Sequence, residues 1–287
     1  MRVIVPIKQV PETNAVKMDE ATGTMIREGV EAIVNPLDLY AIEAAIRLRE
    51  QHGGEVVAIS MGPPKAMTAL REAIAMGVDT AVLVSDKAFA GSDTWATGYV
   101  LAAAIRKLSE NRDRHYFRTE TARIGTVPIF LDLVICGERA TDGDTGQVGP
   151  GIASFLDLPV ASYISRIDSV NAAARTATVH RLVEDGYEVL EVHLPAVLTV
   201  VKEAADPRLP TLRGKQKARA ADIPTWTAAD LGVDPAKIGL NGSPTRVVKI
   251  FRPTVARQCQ KVVALDEEAI GGAAQKLVEF LRQKELV

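Results

Sequence analysis

The densest chemical signal in the chain is the stretch Cys136-Gly137-Glu138-Arg139-Ala140-Thr141-Asp142-Gly143-Asp144-Thr145-Gly146-Gln147-Val148-Gly149-Pro150. Its small residues let backbone N–H groups approach a phosphate, and a helix starting just after them adds positive potential there. Thr141, Thr145 and Gln147 carry side chains that can add hydrogen bonds. Asp142 and Asp144 can receive ribose hydroxyls, and they can equally cap the helix. On residue types alone, nucleotide binding and an ordinary glycine-rich turn both stand. The other candidates are weaker. His52, His115, His180 and His193 show no metal-ligand spacing. There is no G-x-S-x-G elbow and no P-loop. Glu184 and Asp185 form a carboxylate pair, but in a hairpin-turn context. Cys136 ends an apolar strand and reads as a buried structural thiol. Lys8, at another strand end, lies where it could approach a phosphate.

The elements that must position this stretch alternate between strand and helix. Val3–Lys8 reads as a buried strand, and Asn35-Pro36 opens a helix with Asn as N-cap, Pro at the first position and Asp38 in the first turn. Leu39, Ile42 and Ile46 share one face, and Gly53-Gly54 stops the helix. A strand over 56–60, a helix over 65–76, a strand over 80–84 and a helix capped by Ser92 follow. Ile129–Cys136 reads as one strand, and a helix runs from near Thr145 to Phe155. Such alternation predicts a parallel sheet covered by helices on both faces, with ligands at the carboxyl ends of its strands.

After Leu158-Pro159 the rhythm changes. Strands over 176–183 and 188–201 pair through the turn Glu184-Asp185-Gly186-Tyr187. Residues 202–222 read as an exposed basic loop and 223–262 as irregular, extended chain. Asp266 opens a last helix with Ile270, Ala273, Ala274, Leu277, Phe280 and Leu281 on one stripe. The resulting division is an α/β domain over 1–222 and a C-terminal arm and helix over 223–287.

The 287 residues suffice for a large core, and a formal net charge of −2 gives no global field for nucleic acid or anionic membrane. Sparse aromatic residues argue against a base-stacking surface. No apolar run reaches transmembrane length, the N-terminus lacks a signal-peptide pattern, and two distant cysteines suit a reducing, cytoplasmic setting.

The Cys136–Pro150 stretch resembles the nucleotide-binding segment of electron transfer flavoprotein beta subunits, which typically reads like CGRQAIDGDTAQVGP. Lys8-Gln9-Val10-Pro11, Asn35-Pro36-Leu37-Asp38, Met61-Gly62-Pro63-Pro64 and Gly91-Ser92-Asp93-Thr94-Trp95-Ala96-Thr97 match at the expected places. A second signature runs from Val179 and Arg181 through Glu184-Asp185-Gly186, Glu188 and Leu190 to Pro195-Ala196-Val197-Leu198-Thr199. The resemblance spans nearly the whole chain. Residues from about Asn111 to Val127, with Arg112, Arg114, His115, Arg118 and Arg123, depart from it as an insertion. That insertion reads as a solvated surface loop or as an added partner contact.

The resemblance implies a doubly wound, mostly parallel sheet of the adenine nucleotide alpha hydrolase-like kind with an extended C-terminal arm. It implies a heterodimer, active only with an alpha subunit that holds FAD, the arm and helix packing on that subunit. Simple members keep AMP in the beta subunit. Electron-bifurcating members keep a second FAD there, take a hydride from NADH, and divide the electrons between ferredoxin or flavodoxin and the alpha-subunit FAD. Met61-Gly62-Pro63-Pro64, Ser85-Asp86-Lys87-Ala88-Phe89 and Asp142-Gly143-Asp144-Thr145 are similar to the bifurcating group. Carried over by position, Pro6, Asn35, Asp38 and Met61 line the adenosine site, and Thr94 and Thr97 face the rest of an FAD. Gly137 and Asp142 lie on the same cofactor stretch, with the phosphates against Gly143, Asp144, Thr145, Gly146, Gln147 and Val148. The segment near 207–219 aligns with the family's recognition loop, where Leu212 inserts into an acyl-CoA dehydrogenase-type partner.

Overall fold

The computed structural model describes residues 1–12, 32–110, 122–124, 127–248 and 261–287. The described chain forms β1 (Arg2–Pro6), β2 (Gln9–Pro11), β3 (Ala32–Val34), α1 (Pro36–His52), β4 (Glu55–Met61), α2 (Met67–Met76), β5 (Thr80–Val84) and α3 (Thr94–Glu110). There follow β6 (Ala122–Ile124), β7 (Val127–Ile129), β8 (Leu133–Gly137), α4 (Val148–Leu156), β9 (Val160–Asn171), β10 (Thr176–Val183), β11 (Gly186–His193) and β12 (Ala196–Val200). The last elements are α5 (Leu212–Ala220), β13 (Thr225–Trp226), α6 (Ala228–Leu231), α7 (Gly239–Gly242) and α8 (Glu267–Gln283).

One sheet runs in the order β11-β10-β9-β12-β8-β1-β4-β5-β13. From β9 to β13 every pairing is parallel, while β9, β10 and β11 form an antiparallel extension. The central strand β1 is buried at every position, as a strand covered on both faces must be. Val3 and Val5 enter one core with residues of α1, α2 and α5, whereas Ile4 enters the other with residues of α3 and α4. Two-residue alternation therefore splits β1 between two helix layers, giving the expected doubly wound sheet. Order reverses at β1, whose neighbours are β4 on one side and β8 on the other. A crevice at the carboxyl ends of two such strands is where ligands bind in open α/β sheets.

Several boundaries differ from the sequence reading, each for a local reason. The helix expected over 65–76 begins as a 3-10 turn over Pro64–Ala66 and becomes α-helical at Met67. Asp93, not Ser92, caps α3, since its Oδ1 accepts from the Ala96 N–H at 3.0 Å. The strand expected over 129–136 is broken, because Asp132 turns aside to accept the Arg2 N–H at 2.7 Å on its carboxylate. α4 starts at Val148 rather than Thr145. The strand expected over 188–201 divides into β11 and β12 around Leu194-Pro195, where proline has no N–H to continue a ladder. β9 has no counterpart in the sequence reading.

The largest difference is at 202–222, read as loop. Its second half is the helix α5, which packs on α2. A Cβ on Gly214 would lie 2.0 Å from the Ala75 carbonyl oxygen, so this helix approaches its neighbour as closely as backbone permits. Arg71 Nη1 donates to the Ala218 carbonyl, and Lys217 Nζ donates to the Val78 carbonyl at 3.1 Å.

The chain separates into two units, Met1–Val248 and Lys249–Val287. Residues 223–248 stay with the first unit, past the boundary read at 222. β13 pairs with β5, and Asp93 Oδ2 accepts from the Thr245 N–H at 2.9 Å and hydroxyl at 2.8 Å. In the second unit, Asp266 caps α8 through the Ala269 N–H, and no residue of α8 is buried. Most of the 111–127 insertion, and Cys259, lie outside the described residues. No helix among the described residues is long and apolar enough to cross a membrane.

Candidate functional site

The site is built around Asn35, 1% exposed at the head of α1. An asparagine before the first proline of a helix is expected to cap it, yet the Asn35 side chain makes no capping bond. It faces the glycine-rich loop instead. Nδ2 donates to the Arg139 carbonyl at 2.9 Å, and Oδ1 accepts from the Thr141 N–H at 3.1 Å. One buried amide thus holds two backbone groups of a loop more than a hundred residues away. The Asn35 N–H itself donates to the Lys8 carbonyl at 2.8 Å, fixing α1 to the end of β1.

Asp38 lies one helical turn along, 6% exposed, and accepts the Lys8 N–H on Oδ2 at 2.7 Å. Burial pushes its carboxyl up to about 7, against the pull of the Lys8 N–H, Asn35 and the Lys8 charge. Gly137 sits directly against it, since a Cβ there would lie 2.4 Å from Asp38 Oδ1 and 2.8 Å from the Leu37 carbonyl oxygen. Burial likewise raises the Cys136 thiol, in keeping with a structural thiol.

The loop beyond Gly137 is shaped by its own charges. Lys8 Nζ pairs with Asp142 at 2.6 Å, and Arg139 Nε pairs with Asp144 at 3.2 Å. Neither aspartate caps α4, whose N-cap is Gln147 with no side-chain capping bond. Asp144 and Gly146 both have positive φ, 54° and 62°. Among the described residues the N–H groups of Thr145, Gly146, Gln147 and Val148 donate no hydrogen bond. Gln147 and Val148 stand at the start of α4, where N–H groups lack intrahelical partners; Thr145 and Gly146 precede them on the loop, and the set favours an anion. Thr94 Oγ1 donates to Gln147 Oε1 at 2.8 Å, joining the start of α3 to the start of α4.

The structure brings Asn35, Asp38, Gly137 and Asp142 into one network and Thr94 into contact with Gln147. Pro6 and Met61 lie at the ends of β1 and β4, the first buried and the second half-buried. Thr97 stands half-buried on α3, its N–H bonded to the Asp93 carbonyl, with no polar bond to the loop. Gly143 is open, with nothing within 4 Å of a Cβ placed there. Lys8 takes part through both its backbone and its ammonium. Its position beside Asp142 depends on chain crossing between β1 and β8, which no local motif reports. No cluster of His, Cys, Asp or Glu able to hold a metal occurs among the described residues. The arrangement can bind and orient an anionic ligand; it presents no nucleophile with a paired base.

Expected recognition residues lie elsewhere on the same unit. Leu212 is the first residue of α5 and is 83% exposed; Leu209, three residues earlier, is 85% exposed. Arg208 between them and α1 is pinned by Glu43 at 2.8 Å and Glu50 at 2.6 Å.

Fold and site together define a doubly wound α/β protein with a glycine-rich loop of unpaired N–H groups at its topological switch point. Residues 22–231 match the electron transfer flavoprotein domain, so the chain belongs to that family. It is 42% identical over 288 residues to the caffeyl-CoA reductase-Etf complex subunit CarD of Acetobacterium woodii, with all of both chains covered. It is 43% identical, again over the whole of both chains, to the electron transfer flavoprotein subunit beta of Thermoanaerobacterium thermosaccharolyticum. Protein FixA of Azorhizobium caulinodans is 40% identical, covering 100% of this chain and 96% of that one. The chain is thus of the beta-subunit type and has an electron-transfer role.

Proposed function

We propose that this chain is the beta subunit of an electron transfer flavoprotein heterodimer and holds FAD in the crevice between β1 and β8. One observation carries the reading. Asn35 ties the loop at Arg139 and Thr141 to α1, and the four unpaired N–H groups of Thr145 to Val148 follow on that loop. Such a donor set suits a pyrophosphate, with Lys8 as the adjoining cation. Pro6, Asn35, Asp38 and Met61 then line the adenosine side, Gly137 and Asp142 to Val148 the phosphate side, and Thr94 and Thr97 the path toward the flavin ring. When bound, FAD supplies hydride acceptance from NADH and one-electron transfer toward ferredoxin or flavodoxin and toward the alpha-subunit FAD. The chain's own residues bind, orient and shield. The Thr94–Gln147 pair supports FAD over AMP, because it extends the polar surface from the phosphate loop onto α3.

The test is the nucleotide content of the purified heterodimer, by acid release and chromatography. Two FAD per heterodimer and no AMP are expected. One FAD with one AMP overturns bifurcation and leaves a simple one-electron carrier whose beta subunit holds AMP as a structural ligand.

Leu212 is proposed to anchor an acyl-CoA dehydrogenase-type partner. Two exposed leucines beside Arg213, Lys215 and Arg219 make a small apolar contact with a basic rim. Leu212→Ala is expected to slow electron transfer to that partner about tenfold, at limiting partner, with unchanged FAD content. An unaltered rate removes Leu212 from the interface. The apolar stripe of α8 is proposed to pack on the alpha subunit.

A further inference from the structure

Tyr163 has a backbone φ of 60° inside β9, a left-handed conformation that bulky residues rarely hold without support. The support is visible. Its N–H donates to Thr199 Oγ1 at 3.1 Å, and Thr199 is 2% exposed. The pairing of β12 with β9 shifts register between Leu198 and Val200, beside the same tyrosine. A register shift of this kind re-aims a side chain, and such irregularities gather next to binding sites. Thr199 is itself locked to the loop helix, since a Cβ on Gly149 would lie 2.5 Å from its Cγ2.

The strained backbone directs the ring to the phosphate loop. A Cβ on Gly146 would lie 3.9 Å from the Tyr163 hydroxyl oxygen. Gly146 is one of the residues with an unpaired N–H. Tyr163 is 45% exposed, and among the described residues its hydroxyl makes no hydrogen bond. The strained strand thus holds over the glycine-rich loop a phenol that has no protein partner among the described residues.

We propose that Tyr163 is a ligand-binding residue of this site. Its O–H closes the loop from the β9 side and donates to a phosphate oxygen of the bound dinucleotide. A phenol donor to an anionic oxygen makes a charge-assisted hydrogen bond. The assignment rests on the nucleotide reading given above.

The test compares FAD binding to this subunit in wild-type and Tyr163→Phe heterodimers, after nucleotide removal and titration with FAD. The alpha-subunit flavin serves as an internal reference. Tyr163→Phe keeps the ring and the backbone, so the melting temperature without added nucleotide is unchanged, while the Kd for FAD rises on the order of tenfold. Tyr163→Gly suits a positive φ and loses ring and hydroxyl together, so it weakens FAD at least as much. If wild type binds FAD and either variant binds it equally tightly, the assignment is overturned and the nucleotide reading stands. If wild type binds no nucleotide in this subunit, both fall.

Discussion

Gly137→Ala will lower the stability of the beta chain by about 3 kcal/mol, the upper end of what forced packing costs. The new methyl would meet the Asp38 carboxylate at 2.4 Å and the Leu37 carbonyl carbon and oxygen at 2.9 and 2.8 Å. Neither obstacle can retreat. Leu37 is backbone in the first turn of α1, and Asp38 is held by the Lys8 N–H in a buried pocket. Relief must come from pushing β8 away from α1, and that movement pulls the loop at Arg139 and Thr141 off Asn35. The variant heterodimer is therefore expected to melt roughly 6–12 °C lower and to lose nucleotide from this subunit. Gly143→Ala, six residues on with open space around it, is the control and melts like wild type. Equal melting of Gly137→Ala and wild type removes the close approach as a feature of the fold.

Asp38→Asn will stabilise the protein at neutral and higher pH. The ordinary value of the carboxyl is 3.8 and in the folded chain it is about 7. Between those values the folded chain keeps a proton that the unfolded chain has released, so stability falls as pH rises from about 4 to about 7. Above that window the folded protein carries a buried carboxylate at a cost on the order of 4 kcal/mol. An asparagine carbonyl still accepts the Lys8 N–H and carries no charge to desolvate. Melting followed from pH 5 to pH 8.5 is expected to show wild type losing stability up to about pH 7 and levelling off above it, with the variant holding more of its stability. Parallel curves would mean that Asp38 is ionised throughout.

The parts of this fold legible in the sequence are those with a local cause. The first strand, expected over Val3–Lys8 and found over Arg2–Pro6, and the Asn35-Pro36 opening of α1 follow from burial pattern and turn chemistry within a few residues. So does Gly53, which ends α1 with its N–H on the Arg49 carbonyl and a φ of 71°. α5 was illegible because Leu-Arg-Gly-Lys-Gln-Lys-Ala-Arg-Ala has no apolar face of its own. Its helix depends on a glycine contact with α2 and on Arg71 and Lys217 reaching across. β9 alternates imperfectly because its pairing with both neighbours shifts register. At the site, motif order located the loop and the residues around it. It did not report that Asn35 serves the loop in place of capping α1, or that Lys8 pairs with Asp142, since both depend on how distant strands meet. Tyr163 carries no sequence signal, because its importance lies in a backbone angle.

Under the docking role proposed for Leu212, the Arg208 clamp has a kinetic consequence for encounters at Leu209 and Leu212. Arg208 is gripped by Glu43, itself 2% exposed, and by Glu50, while Arg47 Nη2 holds the Asp206 carbonyl at 3.0 Å. Both leucines are therefore presented on chain that is already fixed before any partner arrives. Such a surface forfeits little conformational freedom on association, so a small contact can be productive at once and released as quickly. In that proposed role, a subunit that meets a redox partner, exchanges an electron and leaves gains speed from such stiffness rather than from a larger footprint.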